Sequence, residues 1–145
     1  MISVSIVCFN EDKKIEDCLI SLRGFVDEIV VVDLGSTDDT EKIAQKFGAK
    51  IFHHEFAPFV ELVRNYAISK TTGDWILILD PDEKVTDSLK NKLKQVIQED
   101  LFAAVNIPRK NIFFDKWIKY TNWWPDRHVR FFKKGKVKWT SKIHV

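Results

Sequence analysis

Apolar residues in this chain gather in short runs, and the polar segments between them carry a helical period. Val4 to Phe9 is a β-branched run, and Glu11 to Leu22 places apolar side chains at 15, 18, 19 and 22, on one helical face. Glu28 to Asp33 repeats the buried-strand pattern and is cut by Gly35. Ser36 or Thr37 is then placed to cap a helix running to Phe47, with Asp38, Asp39 and Glu41 in a first turn where the helix dipole favours acids. Gly48 stops that helix, and Lys50 to His53 reads as a third strand. Pro58 to Ser69 is helical, Gly73 interrupts it, and Trp75 to Leu79 is the most apolar strand of the chain. Val85 to Gln98 is an amphipathic helix, with Thr86 or Asp87 near its cap.

Alternating strands and helices with nearly continuous apolar strands predict a parallel sheet covered by helices on both faces, a three-layer α/β/α domain. The texture changes after residue 100. Phe102 to Ile107 reads as a further strand, Lys110 to Tyr120 as irregular and aromatic, and Val129 to Phe132 with Lys136 to Trp139 as a hairpin about a Lys-Gly turn. A single domain over 1–145 is expected, with a ligand-binding half at 1–100 and a second segment at 101–145. The end at Ile143-His144-Val145, without a closing helix or polar tail, predicts a chain cut from a longer protein.

Charge sharpens that division. Residues 1–100 hold 12 Lys/Arg against 19 Asp/Glu, a balance of −7, and residues 101–145 hold 11 against 2, a balance of +9. Four of the five Trp also lie after residue 100. A basic aromatic segment suits an anionic or amphipathic partner, including peripheral contact with a membrane surface, or is simply a solvated basic face with packed Trp. No nucleic-acid recognition motif accompanies the charge, so no nucleic-acid partner is expected. The longest apolar runs are strand-sized, and the N-terminus lacks a basic leader and a small-residue cleavage site, so a cytoplasmic protein is expected. Cys8 in a core strand and Cys18 on a helix are expected as reduced thiols.

In an open parallel sheet, ligands bind at the carboxyl ends of the strands. There the sequence places Asn10 and Glu11 after the first run, Asp33, Gly35, Ser36 and Thr37 after the second, and Asp80-Pro81-Asp82-Glu83 after the fourth. Carboxylates at i and i+2 after a buried strand can flank a hard divalent cation, Mg²⁺ or Mn²⁺, which prefers oxygen ligands and substrate phosphates. The alternative is an acidic turn leading into a helix, with Glu83 favouring its start. His53 and His54 have no paired metal-ligand spacing and read as surface residues at a strand end. No Gly-x-Gly-x-x-Gly follows the first strand, which argues against a dinucleotide-binding dehydrogenase.

Four ordered motifs, Ser5-Ile6-Val7-Cys8-Phe9-Asn10-Glu11, Val31-Val32-Asp33-Leu34-Gly35-Ser36-Thr37-Asp38, Arg64-Asn65 and Leu79-Asp80-Pro81-Asp82-Glu83, together resemble glycosyltransferase family 2. They are particularly similar to its lipopolysaccharide-core β-glucosyltransferase-like branch, with Pro81 where that branch has Ala. The resemblance implies a GT-A fold and an inverting, metal-dependent transfer of sugar from a nucleotide-diphosphate donor, a UDP-sugar above all, to a glycan or lipid-linked acceptor. It also implies a place in lipopolysaccharide or cell-envelope glycan synthesis. Phe9, Asn10 and Glu11 lie where the family cradles uridine, and Asp33 resembles the acceptor of the uracil imide, with Ser36 beside it. Arg64 looks like the arginine that contacts the nucleotide. Asp80 lies near the ribose and metal water, and Asp82 ligates the metal. A donor-binding module without transfer activity is the alternative.

Inverting transfer needs a carboxylate to take the acceptor's hydroxyl proton. Asp115 and Asp126 are the acids beyond Asp100. Asp126 follows Trp123-Trp124-Pro125 and precedes Arg127-His128-Val129-Arg130-Phe131-Phe132, which resembles the family's acceptor-side segment, and is the expected base. Trp117, Trp123, Trp124 and Trp139 are candidates either for stacking on sugar or lipid or for core packing. His144 resembles the first member of the branch's His-Glu pair.

Overall fold

The computed structural model describes residues 1–113, 116–117 and 126–139, with the backbone alone at 113, 126 and 127. In chain order the elements are β1 (Ile2–Cys8), α1 (Ile15–Ser21), β2 (Glu28–Asp33), α2 (Thr40–Lys46), β3 (Lys50–His53), α3 (Arg64–Ser69), β4 (Trp75–Leu79), α4 (Asp87–Glu99), β5 (Ala104–Arg109), β6 (Ile112–Phe113), β7 (Lys116–Trp117) and β8 (Asp126–Lys133). The main sheet has the order β3-β2-β1-β4-β8-β5. Its first four strands are parallel, and β8 runs antiparallel to both β4 and β5.

The strands are apolar on both sides because both faces are covered. On one face Val4, Ile6, Val31, Leu77 and Phe131 pack against Leu19 of α1 and Leu22 at its end, Ala44 of α2 and Leu93 of α4. On the other, Val7 and Val32 meet Val63 and Ala67, while Ile76, Ile78 and Phe132 meet Ile68 and Trp139. Each fully buried aliphatic or aromatic side chain stabilises this sandwich by about 1.5–3 kcal/mol relative to exposure. Both cysteines are free and buried. Burial pushes the Cys18 thiol up to about 12, and burial with the adjacent Asp33 raises Cys8 as well, so both stay protonated. Among the described residues no helix is long and apolar enough to cross a membrane.

Several boundaries differ from the sequence pattern for identifiable reasons. The first helix begins at Ile15 rather than near Glu11, because Asn10 is left-handed (φ 50°) and the amides of residues 10–12 bond to the following loop. The second begins at Thr40, and neither Ser36 nor Thr37 caps it. Ser36 Oγ instead donates to Asp33, and Asp38 accepts the Thr40 amide. Pro58 to Ser69 resolves into a 3-10 turn at Val60–Leu62 followed by the short α3. The fourth helix is capped as its sequence suggests, with Thr86 accepting from the Leu89 amide. Within Lys110 to Tyr120, β6 and β7 form a small antiparallel ribbon.

The expected hairpin is not formed. Residues 129–132 lie in β8 between β4 and β5, while 137–139 are not strand. Phe131 and Phe132 are both fully buried, one on each face. Only an interior strand of a two-sided sheet can bury consecutive side chains in this way.

At the amino end of the strands, Glu28 accepts from Ser3 Oγ (2.8 Å), the Thr72 amide (2.8 Å), Thr72 Oγ1 (2.5 Å) and Lys50 Nζ (2.9 Å). Gly73 is required beside it, since a Cβ there would fall 2.5 Å from Ser3 Oγ and 2.8 Å from the Met1 carbonyl. Burial alone would raise the Glu28 carboxyl, but its donors outweigh burial and hold it at about 2. Because this folded value is depressed, the stabilisation is present above the ordinary glutamate range and is lost as pH falls towards 2. It amounts to about 3 kcal/mol. Urea unfolding of Glu28→Gln should therefore show a deficit against wild type at pH 6 that shrinks at pH 2.5. An equal deficit at both pH values would refute the assignment.

Candidate active site

The carboxyl ends of β1, β2 and β4 converge on one edge of the sheet, and two loops there are sewn together by side chains acting on backbone. The Asn10 amide donates to Ser36 Oγ (2.8 Å), and Asn10 Oδ1 accepts the Thr37 amide (2.8 Å). The Glu11 amide donates to Thr40 Oγ1 (2.8 Å) and the Asp12 amide to Asp38 (3.2 Å). Asp33, 2% exposed at the end of β2, anchors this arrangement. Its carboxylate accepts from the Gly35 amide (3.0 Å), the Ser36 amide (2.8 Å), the Ser36 hydroxyl and, at 3.6 Å, the Cys8 thiol. Gly35 lies at φ 91°, which lets the chain turn back on that carboxylate.

The acidic turn after β4 is closed reciprocally. The Glu83 amide donates to the Asp80 carbonyl (3.0 Å), and the Glu83 carboxylate accepts the Asp80 amide (2.9 Å). Pro81, between them, favours the turn. Arg64, 5% exposed on α3, gives Asp80 Oδ1 a 2.8 Å ion pair. Arg130 of β8 reaches Asp80 Oδ2 (3.4 Å) and Glu83 (3.4 Å), and Arg109 of β5 reaches Glu83 (3.5 Å). Burial would raise the Asp80 carboxyl, but Arg64 and Arg130 outweigh it and hold it below the usual range. Burial raises Glu83, with the Asp80 charge adding to it against Arg130 and Arg109. Glu83 is thus part of the turn rather than of the helix, which starts at Asp87.

Asp82 is exposed on the outside of this turn and forms no ion pair among the described residues. Glu11 is raised by burial and by the neighbouring charges of Asp82, Asp38 and Asp80. The expected donor residues after β1 and β4 therefore share one field. Phe9 is 40% exposed and meets Phe56 edge-on at 4.9 Å. Asp126 opens β8 opposite Arg109, at the end of the sheet where β4 runs into the acidic turn, and its side chain lies outside the described residues. Asp115, Trp123, Trp124 and His144 also lie outside them. Trp139 packs tilted against Phe132 (centroids 5.6 Å apart) at the edge of the core, and Asn65 clamps its backbone by two hydrogen bonds of 2.7 and 3.1 Å. Lys110 covers the Trp117 ring at 4.0 Å.

Sequence spacing gives no hint of a third grouping. Asp33, Glu41 and His53 bring ligand atoms within 4.8 Å of one another, with His53 Nε2 3.0 Å from Glu41. Asp33 in that group is already engaged by four donors. A cavity of about 330 Å³ lies at the opposite ends of the strands, lined by Met1, Asp27, Glu28, Lys50 and Thr72 among others, away from the acidic turn. Arg130, Arg109 and the turn-closing role of Glu83 were not assigned from sequence. The signal available for Arg130 was its position between the apolar Val129 and Phe131 in a strand-like run.

Residues 3–145 match the profile of glycosyl transferase family 2. The chain belongs to that family. A glycosyltransferase of Rickettsia felis, uncharacterized, is 34% identical over 109 residues, covering 73% of this chain and 38% of its own. The chain spans about a third of the length of the curated relatives it matches. S. aureus TarS superposes with a TM-score of 0.64 at 23% identity, over 92% of this family 2 chain and 47% of TarS, which establishes the GT-A-like fold. Mycobacterium tuberculosis glucosyl-3-phosphoglycerate synthase, in complex with Mn²⁺, UDP and glucosyl-3-phosphoglycerate, superposes with a TM-score of 0.52 at 27% identity, over 70% of this chain and 39% of the synthase.

Asp33→Ala removes the acceptor of buried donors in the family 2 chain's first loop pair. It should lower the urea-derived unfolding free energy by about 1–3 kcal/mol. A variant as stable as wild type would show that the loop holds without this carboxylate.

Proposed function

We propose that this chain is the donor-binding portion of an inverting, divalent-metal-dependent glycosyltransferase that takes a UDP-sugar and transfers its sugar to a glycan or lipid-linked acceptor. The observation that carries the reading is the acidic turn at the end of β4, with Asp82 turned outward beside Glu11 and next to the sewn loops of β1 and β2. The Mn²⁺ and UDP bound by glucosyl-3-phosphoglycerate synthase support the same donor class.

Phe9, Asn10, Glu11, Asp33 and Ser36 form the nucleoside side of the site. Asp33, the acceptor assigned to the uracil imide, is buried and already met by four donors of its own chain, so its part is to fix the geometry of the nucleoside side before a ligand arrives. Arg64 adds positive charge that suits a diphosphate. Asp82 and Asp80 offer the hard oxygen donors that Mg²⁺ or Mn²⁺ prefers, with Asp82 better placed for direct ligation because Asp80 already pairs with two guanidiniums. A bound dication would neutralise charge developing on the departing diphosphate. Asp126, on the acceptor side, takes the hydroxyl proton as the acceptor oxygen attacks the anomeric carbon. The Asp-Pro-Asp-Glu turn also favours the lipopolysaccharide-core branch, and with it cell-envelope glycan synthesis at the cytoplasmic membrane face, with peripheral contact through those basic residues of 101–145 that are not engaged within the chain.

UDP should bind at least several-fold more tightly with Mn²⁺ than with chelator. Calorimetry giving one affinity in both conditions would remove the metal from the reading.

In a chain long enough to turn over, Asp126→Asn should lower kcat by roughly 10²–10⁴-fold while UDP affinity stays near wild type. Near-normal turnover would exclude Asp126 as the base, and loss of UDP binding would make it part of the donor site.

A further inference from the structure

We propose that Arg130 is a positioning residue that holds the acidic turn in its metal-binding shape by bridging Asp80 and Glu83, an assignment that rests on the donor-site reading above. In the pairing of β5 with β8, Val105 faces Phe131 and Asn106 faces Val129, so Arg130 is the extra residue of a β-bulge. Pairing of β8 with β4 likewise stops at Leu77 and Phe131, one residue before Arg130 is reached. A bulge frees one side chain from the alternation of the strand and aims it elsewhere.

Here the freed guanidinium reaches Asp80 Oδ2 at 3.4 Å and both Glu83 oxygens at 3.4 and 3.5 Å, with its side chain only 12% exposed. Glu83 in turn receives the Asp80 amide at 2.9 Å. The carboxylates of residues 80 and 83 are thus fixed on the inner side of a four-residue turn, and the intervening Asp82 is left facing outward. Without Arg130, Arg64 would still meet Asp80 and Arg109 would still meet Glu83, but from opposite directions, and no cation would lie between the two carboxylates to offset their repulsion across the turn. Arg64 cannot substitute, because it reaches the other Asp80 oxygen and forms no ion pair with Glu83. Arg130 therefore acts on the metal through the backbone of residues 80–83.

The test is calorimetric titration of UDP into wild type, Arg130→Ala and Arg130→Lys, each in Mn²⁺ and in chelator, read as the ratio of the two affinities. Loss of an outer-shell partner lowers metal affinity by roughly tenfold or more, so the ratio should fall by about that factor in Arg130→Ala while UDP affinity in chelator stays within about twofold of wild type. Lysine carries the charge but lacks the planar fork whose second nitrogen also holds the other Glu83 oxygen, so Arg130→Lys should recover only part of the ratio. If Arg130→Ala does not fold, the lysine variant alone decides. A wild-type ratio in the lysine variant, or in a folded alanine variant, would overturn the proposal, as would an equal loss with and without metal. Absence of any metal effect in wild type would instead show that the donor-site reading itself has failed.

Discussion

A carboxylate at the end of the most apolar strand is the constraint on which the rest of this domain depends. Asp80 follows five buried residues of β4 and is itself largely removed from water. An uncompensated charge in that place would be costly or would be neutralised by protonation. Its two oxygens are instead met by guanidiniums from different parts of the chain, Arg64 from α3 and Arg130 from β8. One ionised group thereby fixes the position of the helix on one face of the sheet and of the strand that enters last. The acidic turn is thus held by cations of its own chain.

The other half of the edge solves a different problem. Loops after β1 and β2 expose backbone amides near buried strand ends, and each needs an acceptor. Asp33, Ser36, Asp38 and Thr40 supply those acceptors from short side chains, while Asn10 returns the favour to Thr37. The density of Asp, Ser, Thr and Asn here thus has two uses at once. The same residues that give a ligand polar groups to meet also remove the need for regular structure around it. This explains why helices α1 and α2 start late, since the residues that would have formed their first turns are occupied in joining the loops.

The first four strands and the helices between them are legible in the sequence because their signals are local. An apolar run, a glycine stop and a helical period each act within about ten residues. The acidic turn was legible for the same reason, as was the Thr86 cap. The assignment of Val129 to Phe132 to a hairpin failed because its partners, Leu77 and Val105, are distant in sequence and nothing local distinguishes a strand paired with a neighbour from one inserted between two others. The burial of both consecutive phenylalanines, one on each face, becomes intelligible only once those distant partners are in place. Arg130 was missed on similar grounds. Its role depends on a bulge in a non-local pairing, and in the sequence it is only one basic residue in a basic segment.

That basic segment takes on a different meaning once its neighbours are known. The sequence sets −7 on residues 1–100 against +9 on residues 101–145, which suggests a positive surface awaiting an anionic partner. Several of those charges are already directed inward or at partners within the chain. Arg130 and Arg109 serve the acidic turn, Lys133 pairs with Asp100, Lys134 donates to the Thr71 carbonyl and Lys110 lies over Trp117. Part of the asymmetry, carried by Arg109, Arg130 and Lys133, is therefore complementarity between two segments of one domain. An acidic first segment and a basic second one attract each other, and the strand that carries basic residues enters the sheet beside the strand that ends in the acids. Charge segregation along the chain becomes charge pairing across the sheet, so the net charge of a segment overstates what it can offer to a partner outside.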